Sequence, residues 1–247
     1  MGQPEESHQP ATDRPQSILA HLEELRWRLV KTAVAVLAGA IVAFAFAQRI
    51  FGLLQRPYEL AFPGEAELVG LAPTEQFSVF MRIALFGGVV IASPVILYQV
   101  WGFVSPALTR RERRWVVPII VALTILFMAG VAFGFWILPR GLEFLLGIFP
   151  DVASQLRIGD YISFVLRFLL AFGVAFEFPV FLFALAAFGV LSSQTLARGR
   201  RWAVLIIVIA SAMITPTGDP LTLLALSAPL YLFYEVTYWL VRLVLRR

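Results

Sequence analysis

The chain has 247 residues, 60% of them hydrophobic, and a mean hydropathy of +0.82. Soluble domains run at roughly 45–50% apolar and cannot bury this excess, so the composition points to a membrane protein. With 20 basic against 16 acidic residues, no cysteine, and His8 and His21 as the only histidines, the chain excludes disulfides, thiolate chemistry and histidine-based metal or nucleophile sites within the membrane region.

Residues 1–15 read as a flexible N-terminal segment ahead of a membrane domain over 16–240. In HLEELRWRL, His21 to Leu29, the leucines Leu22, Leu25 and Leu29 recur at helical spacing. This predicts an amphipathic helix that runs into a first span at 29–47. Glu23, Glu24, Arg26 and Arg28 lie on its polar faces, and the pairs Glu24–Arg28 and Glu23–Arg26 would each contribute about 0.2–0.5 kcal/mol. Ala45-Phe46-Ala47 resembles a signal cleavage site. The apolar run is longer than the roughly 7–15 residues of a signal core, and a long segment of mixed charge precedes it, so the span is expected to remain.

The segment 48–76 carries Pro57, Pro63, Gly64, Gly70 and Pro73, which are expected to break it into short pieces. A second span follows at 77–104 with Pro94 inside it, then the loop 105–114 with RRERR at its end, and a third span at 115–138. Between Pro139 and Asp160 an amphipathic piece, Leu142 to Phe149, and turns at Pro150 and Gly159 are expected. Loops of this length usually cap or gate something. The remaining spans are 160–190, 202–215 and 221–240, followed by the basic tail 241–247. The fifth would reach only about 21 Å, so it reads as half of a short hairpin with the sixth. The fold class is therefore an all-α polytopic membrane protein of six spans, whose structured outer loops would help to form a concave scaffold.

Six spans place both termini on one side. The N-terminal segment to Lys31, the loops 105–114 and 192–201, and the tail after Leu240 hold 14 of the 20 basic residues. The positive-inside rule assigns that side, and both termini, to the cytoplasm. The same placement accounts for the pI near 9.8 without nucleic acid.

Glu177 lies within an apolar stretch, Phe168 to Leu191. An acidic group at a span's centre costs about 2.5–3.5 kcal/mol, which makes it a functional candidate. Arg167 is ten residues earlier, about 15 Å along the axis, and too far for a simple pair. Glu177 is either buried within the chain against Ser163, Arg167 or Glu235, or it faces a partner helix, where a neutral carboxyl can still donate and accept hydrogen bonds. Glu235 is expected near the cytoplasmic end of span six. Glu24 and Glu112 both fall at the cytoplasmic face. The simplest reading pairs each with neighbouring arginines, and the alternative has them jointly receive a cationic peptide through bidentate guanidinium contacts.

Five motifs, HLEELRWRL, SPVILYQVWGFVSPALTRRERR at 93–114, FGVAFEFPV at 172–180, ITPTGD at 214–219 and APLYLFYE at 228–235, resemble in order those of the TatC family, the receptor subunit of the twin-arginine protein translocase. The resemblance covers roughly residues 16–240. It implies a receptor for twin-arginine signal peptides on folded precursors, and the core of a Sec-independent translocase. Self-association, single-span TatA and TatB partners, contact with membrane lipid and drive by the protonmotive force are implied as well. No cofactor and no enzymatic activity are expected, and the chain has no GxxxxGK[ST] phosphate loop.

Carried over by position, Glu24 and Glu112 match the acids that contact the paired arginines. Arg26 and Phe103 match further signal-binding positions, with Phe103 lining a groove for the signal's apolar stretch. Glu177 matches an intramembrane position for partner contact, and Pro57 and Asp219 match positions in loops. The family's usual TPPD reads Thr215-Pro216-Thr217-Gly218-Asp219 here, and an expected glutamine is replaced within Leu221–Leu226.

Two other readings are weaker. A proton-coupled small-solute carrier with Glu177 as its relay would call for internal repeats and a broken helix pair, and the sequence offers neither. An intramembrane enzyme would call for membrane histidine or HExxH and GxSxG motifs, which are absent.

Overall fold

A computed structural model describes residues 18–64, 68–104, 116–148, 156–187, 189–215 and 219–245. Its helices are α1 (Ile18–Ala45), α2 (Ala47–Ala61), α3 (Pro73–Val104), α4 (Val116–Leu146), α5 (Ile158–Ala175), α6 (Phe178–Ala187), α7 (Ser193–Ile214) and α8 (Pro220–Leu240), with a π-helical turn over Val241–Leu245. Five stretches are long and apolar enough to cross a bilayer: His21–Ala45, Pro73–Phe103, Val117–Leu146, Ile158–Ala187 and Pro220–Leu243. The sixth crossing is α7, whose apolar part begins only at Trp202, after Arg198, Arg200 and Arg201. The all-α polytopic architecture expected from hydropathy is the one observed. The N-terminal segment to residue 17, the stretch 105–115 and residues 216–218 lie outside the described residues.

Several boundaries differ from the sequence expectation. Pro57 does not interrupt the first outer segment but sits inside α2, where it is among the most deeply buried side chains. A single lost N–H is tolerated because Leu54, Pro57 and Tyr58 bury their side chains together. The third span also continues through Pro139 to Leu146, absorbing most of the expected amphipathic piece. Loop 192–201 is largely the first turns of α7, capped where Ser192 Oγ accepts from Thr195 N at 3.1 Å.

The fourth span departs in the other direction, because it is two helices. Pro179 has no N–H to give to the carbonyl of Ala175, and its ring crowds that carbonyl. The chain responds with a tight turn in which Glu177 N bonds Val174 O at 3.1 Å, and α6 restarts at Phe178.

Small residues set the helix spacing. Without a hydrophobic drive between helices in lipid, close backbone packing supplies the association. α1 packs along α3 where Gly39 meets Gly88; a Cβ at Gly88 would lie 2.7 Å from both Ala40 N and Val36 O. α4 meets α5 in the same manner, with Gly130 against Phe172 and Phe176 and Gly173 against Phe127. The core then centres on Phe168, Phe172, Ile162 and Val165 of α5, all fully buried.

The outer segments are tied into one cap. Val69 and Arg157 form a parallel bridge, with Val69 N on Leu156 O at 3.0 Å and Ile158 N on Val69 O at 3.1 Å. Glu75 accepts from Gly159 N at 3.0 Å and from Leu71 N at 2.9 Å. Tyr161 adds a buried bond from its hydroxyl to Leu54 O at 2.7 Å, linking α5 to α2.

Candidate functional site

The α1–α3 contact brings the two ends of the first sequence motif and the second together. α1 and α3 run antiparallel, so the first turns of α1 lie beside the last turns of α3. There Arg28 Nε donates to Glu24 Oε1 at 2.9 Å, and the guanidinium places a second N–H on the same oxygen. Arg28 also reaches across to α3, donating to Gln99 Oε1 at 3.4 Å. One turn further, the His21 ring stacks on Phe103 with centroids 4.3 Å apart. His21 Nδ1 stands 3.9 Å from the other Glu24 oxygen, beyond hydrogen-bond reach.

The expected Glu24–Arg28 pair thus forms. Its partner pair does not, since Glu23 and Arg26 are exposed and make no ion pair with each other among the described residues. Because Glu24 and Arg28 keep 27% and 22% of their side chains exposed, their pair is weak enough to exchange partners. Glu112, assigned to the same face from sequence, lies outside the described residues.

Two members of this cluster went unremarked from sequence. Gln99 stands in the quoted second motif, but its role depends on α3 packing against α1. His21 opens the first motif, and its spacing of three residues before Glu24 puts both on one face of α1.

The second site is the break in the fourth span. Glu177 occupies the turn between α5 and α6, and both of its carboxylate oxygens are buried with no hydrogen-bond partner. It makes no hydrogen bond to Ser163, Arg167 or Glu235, and none of the three lines its cavity. Glu235 pairs instead with Arg200 of α7 at 2.8 Å, and the Arg200 guanidinium lies 4.7 Å over the Tyr238 ring. Glu177 opens on a cavity of about 330 Å³ lined by apolar side chains of α5, α6, α7 and α8, among them Val174, Phe181, Ile206 and Leu230. An unpaired buried carboxyl costs free energy, and a donor brought from outside the chain would offset that cost.

The remaining candidates, Pro57 and Asp219, are both tied into local structure. Pro57 lies within α2 and not in a loop, with its ring in the core. Asp219 is the N-cap of α8: its side chain accepts from Thr222 N at 2.8 Å and from the Thr222 hydroxyl, and only 5% of it is exposed. Asp219-Pro220 is a legible start signal, an N-cap acid followed by proline at the first helical position.

Residues 20–229 match a family model described as Sec-independent protein translocase protein (TatC). The chain is 41% identical over 231 residues to the Sec-independent protein translocase protein TatC of Aquifex aeolicus (strain VF5), covering 92% of this chain and 95% of that protein. It is 36% identical over 233 residues to the chloroplastic Sec-independent protein translocase protein TATC of Arabidopsis thaliana, covering 94% of this chain and 68% of that one. A crystal structure of the twin arginine translocase receptor TatC in DDM superposes with a TM-score of 0.77 at 40% identity, over 90% of this chain and 100% of that chain.

Proposed function

This chain belongs to the TatC family of Sec-independent protein translocase proteins, and from that premise we propose how its basic end works as a receptor. The ligand is a twin-arginine signal peptide on a folded precursor, and the basic end faces the cytoplasm of a cell inner membrane. Glu24 receives one guanidinium of the arginine pair, Glu112 receives the other, and Phe103 contacts the apolar stretch that follows. Arg26, exposed on the same helix, orients the peptide's backbone or acidic groups.

The observation that carries this reading is the guanidinium already seated on Glu24. Arg28 puts two N–H groups onto one oxygen of that carboxylate and leaves the other facing His21. A planar guanidinium therefore fits here, and an arriving arginine either takes the free oxygen or replaces Arg28. A lysine ammonium has no planar fork to match, so an arginine pair is favoured over a lysine pair. Site-directed crosslinking of the full chain to a twin-arginine precursor tests this. Glu24→Ala or Glu112→Ala is expected to weaken the adduct, and a twin-lysine signal already binds poorly. Equal adducts from arginine and lysine signals on the wild type would remove the idea.

Glu177 serves assembly in this reading. Its unpartnered carboxyl, set in an apolar cavity open to the membrane, accepts a polar group from a single-span TatA- or TatB-type helix. The multi-subunit complex thus formed moves folded proteins using the protonmotive force. The solute-carrier alternative gains a broken helix at Glu177, but among the described residues that line its cavity no second titratable group stands ready to receive a proton.

A further inference from the structure

The groove between α3 and α5 at the end opposite Glu24 has the chemistry of a lipid headgroup site. It is a cavity of about 530 Å³ whose upper rim holds Arg82, Ser163, Arg167 and Asp160, and whose lower wall is apolar, with Leu85 and Leu170. Arg82 and Arg167 each start nine residues from the outer end of their helix, about 13 Å along the axis, so both emerge at one depth. The continuous α3 stretch Pro73–Phe103 is 31 residues long, about 46 Å, and overhangs a hydrocarbon layer of about 30 Å by some 8 Å at each end, with the start of α5 tied beside it through Glu75 and Gly159. Both arginines thus root in hydrocarbon, and both turn their heads back toward the interface. Arg82 donates to Gly159 O at 3.0 Å and to the Ser163 hydroxyl, while Arg167 Nε donates to Ser163 O at 3.1 Å.

These bonds leave most of the guanidinium donors unused. A guanidinium carries five N–H groups; Arg82 uses one of its terminal nitrogens, and Arg167 uses only Nε. No carboxylate stands within ion-pair distance of either among the described residues, Asp160 included. Two cations at the edge of hydrocarbon without a counter-ion are costly, and the anion available at that depth is a lipid phosphate. Asp160, Ser163 and Arg167 lie on one face of α5 at positions i, i+3 and i+7, so an acid sits beside the paired cations on the same rim.

We propose that this groove binds an aminophospholipid of the leaflet at the Arg157 end, with its phosphate on Arg82 and Arg167, its ammonium on Asp160 and an acyl chain along the Leu85–Leu170 wall. The site is independent of the receptor reading. A purely anionic lipid would satisfy the arginines and leave Asp160 opposed, so the ammonium-bearing headgroup is favoured.

The test is native mass spectrometry of the full-length chain released from detergent after incubation with phosphatidylethanolamine, phosphatidylglycerol or diacylglycerol. Arg167→Gln carries it, because Arg167 makes only one bond, to a carbonyl, and its loss leaves the cap intact. Wild type is expected to retain phosphatidylethanolamine at least tenfold more tightly than Arg167→Gln, with phosphatidylglycerol weaker and diacylglycerol weakest. Arg140→Gln, an arginine stacked on Trp136 at 4.8 Å and outside the groove, is expected to retain the lipid as wild type does. Phosphatidylethanolamine is also expected to raise the melting temperature of wild type and not of Arg167→Gln. Equal retention by wild type and Arg167→Gln, or diacylglycerol held as tightly as phosphatidylethanolamine, would overturn the site. Phosphatidylglycerol held as tightly as phosphatidylethanolamine would overturn the assignment to Asp160. Arg167-dependent capture of an acidic single-span helix in place of lipid would give the groove to a protein instead.

Discussion

The two ends of the bundle use charged side chains in opposite ways. At the cap, the acids Glu75 and Asp219 bond mainly to backbone N–H groups, those of Gly159, Leu71 and Thr222. Such partners cannot leave without opening a helix end, so these charges fix structure. At the basic end, Glu24 meets Arg28, Arg28 meets Gln99, and Arg200 meets Glu235, each pair side chain to side chain. Those contacts can be exchanged for a ligand's groups with no change in backbone. The comparison teaches that a carboxylate's partner type, more than its count of bonds, separates an acid fixed to the backbone from one free to exchange its partner.

The largest way to break the contrast is to pry apart the helices that build the basic end. Gly88→Leu drives a side chain into Ala40 N and Val36 O, so the variant should lose peptide binding and melt well below wild type. Overpacking alone costs about 1–3 kcal/mol, and a backbone collision adds to that. If Gly88→Leu bound signal peptide normally, the α1–α3 seam would not be what assembles the site.

Next comes the exchangeable acid itself. Glu24→Gln should weaken a twin-arginine peptide about tenfold or more, since hydrogen bonds to charged groups contribute about 1.5–3 kcal/mol. Its melting temperature should stay near that of wild type. The mirror image is Asp219→Ala, which should lower stability by about 1–2 kcal/mol through loss of a buried N-cap while leaving peptide affinity unchanged. Asp219→Asn, also a good cap, should recover most of the loss, as read by thermal melting in one detergent. A melting curve for Asp219→Ala that matches wild type would place Asp219 among the exchangeable acids.

The smallest effect on the isolated chain should come from Glu177. Its carboxyl bonds nothing within the chain, so Glu177→Leu should leave the melting temperature equal or raised, while association with single-span partners falls. Marked destabilisation of the isolated chain would mean that Glu177 is a structural acid after all.

Hydropathy alone made the membrane class and the order of the six crossings legible, because burying apolar residues in lipid is a local property of each segment. Proline was a poorer guide. Pro57 and Pro139 sit within helices, whereas Pro179 splits one, and only packing around each decides whether a lost bond is tolerated. The Glu24–Arg28 pair was legible because both lie on one helix four residues apart. Gln99 and the Phe103–His21 stack were not, since they depend on residues about 70 to 80 positions apart meeting across Gly39 and Gly88. Asp219 was read as a loop position, and it ends that loop as the N-cap of α8, a role that Asp-Pro before an apolar run announces.

The most direct measurement is the affinity of the full-length chain and of its Glu24→Gln variant for two peptides that differ only in an arginine–arginine or lysine–lysine pair. The account predicts that wild type prefers the arginine peptide by about tenfold or more and that the preference collapses in the variant. Equal affinity of wild type for both peptides, or a preference that survives the loss of the Glu24 carboxylate, would contradict it.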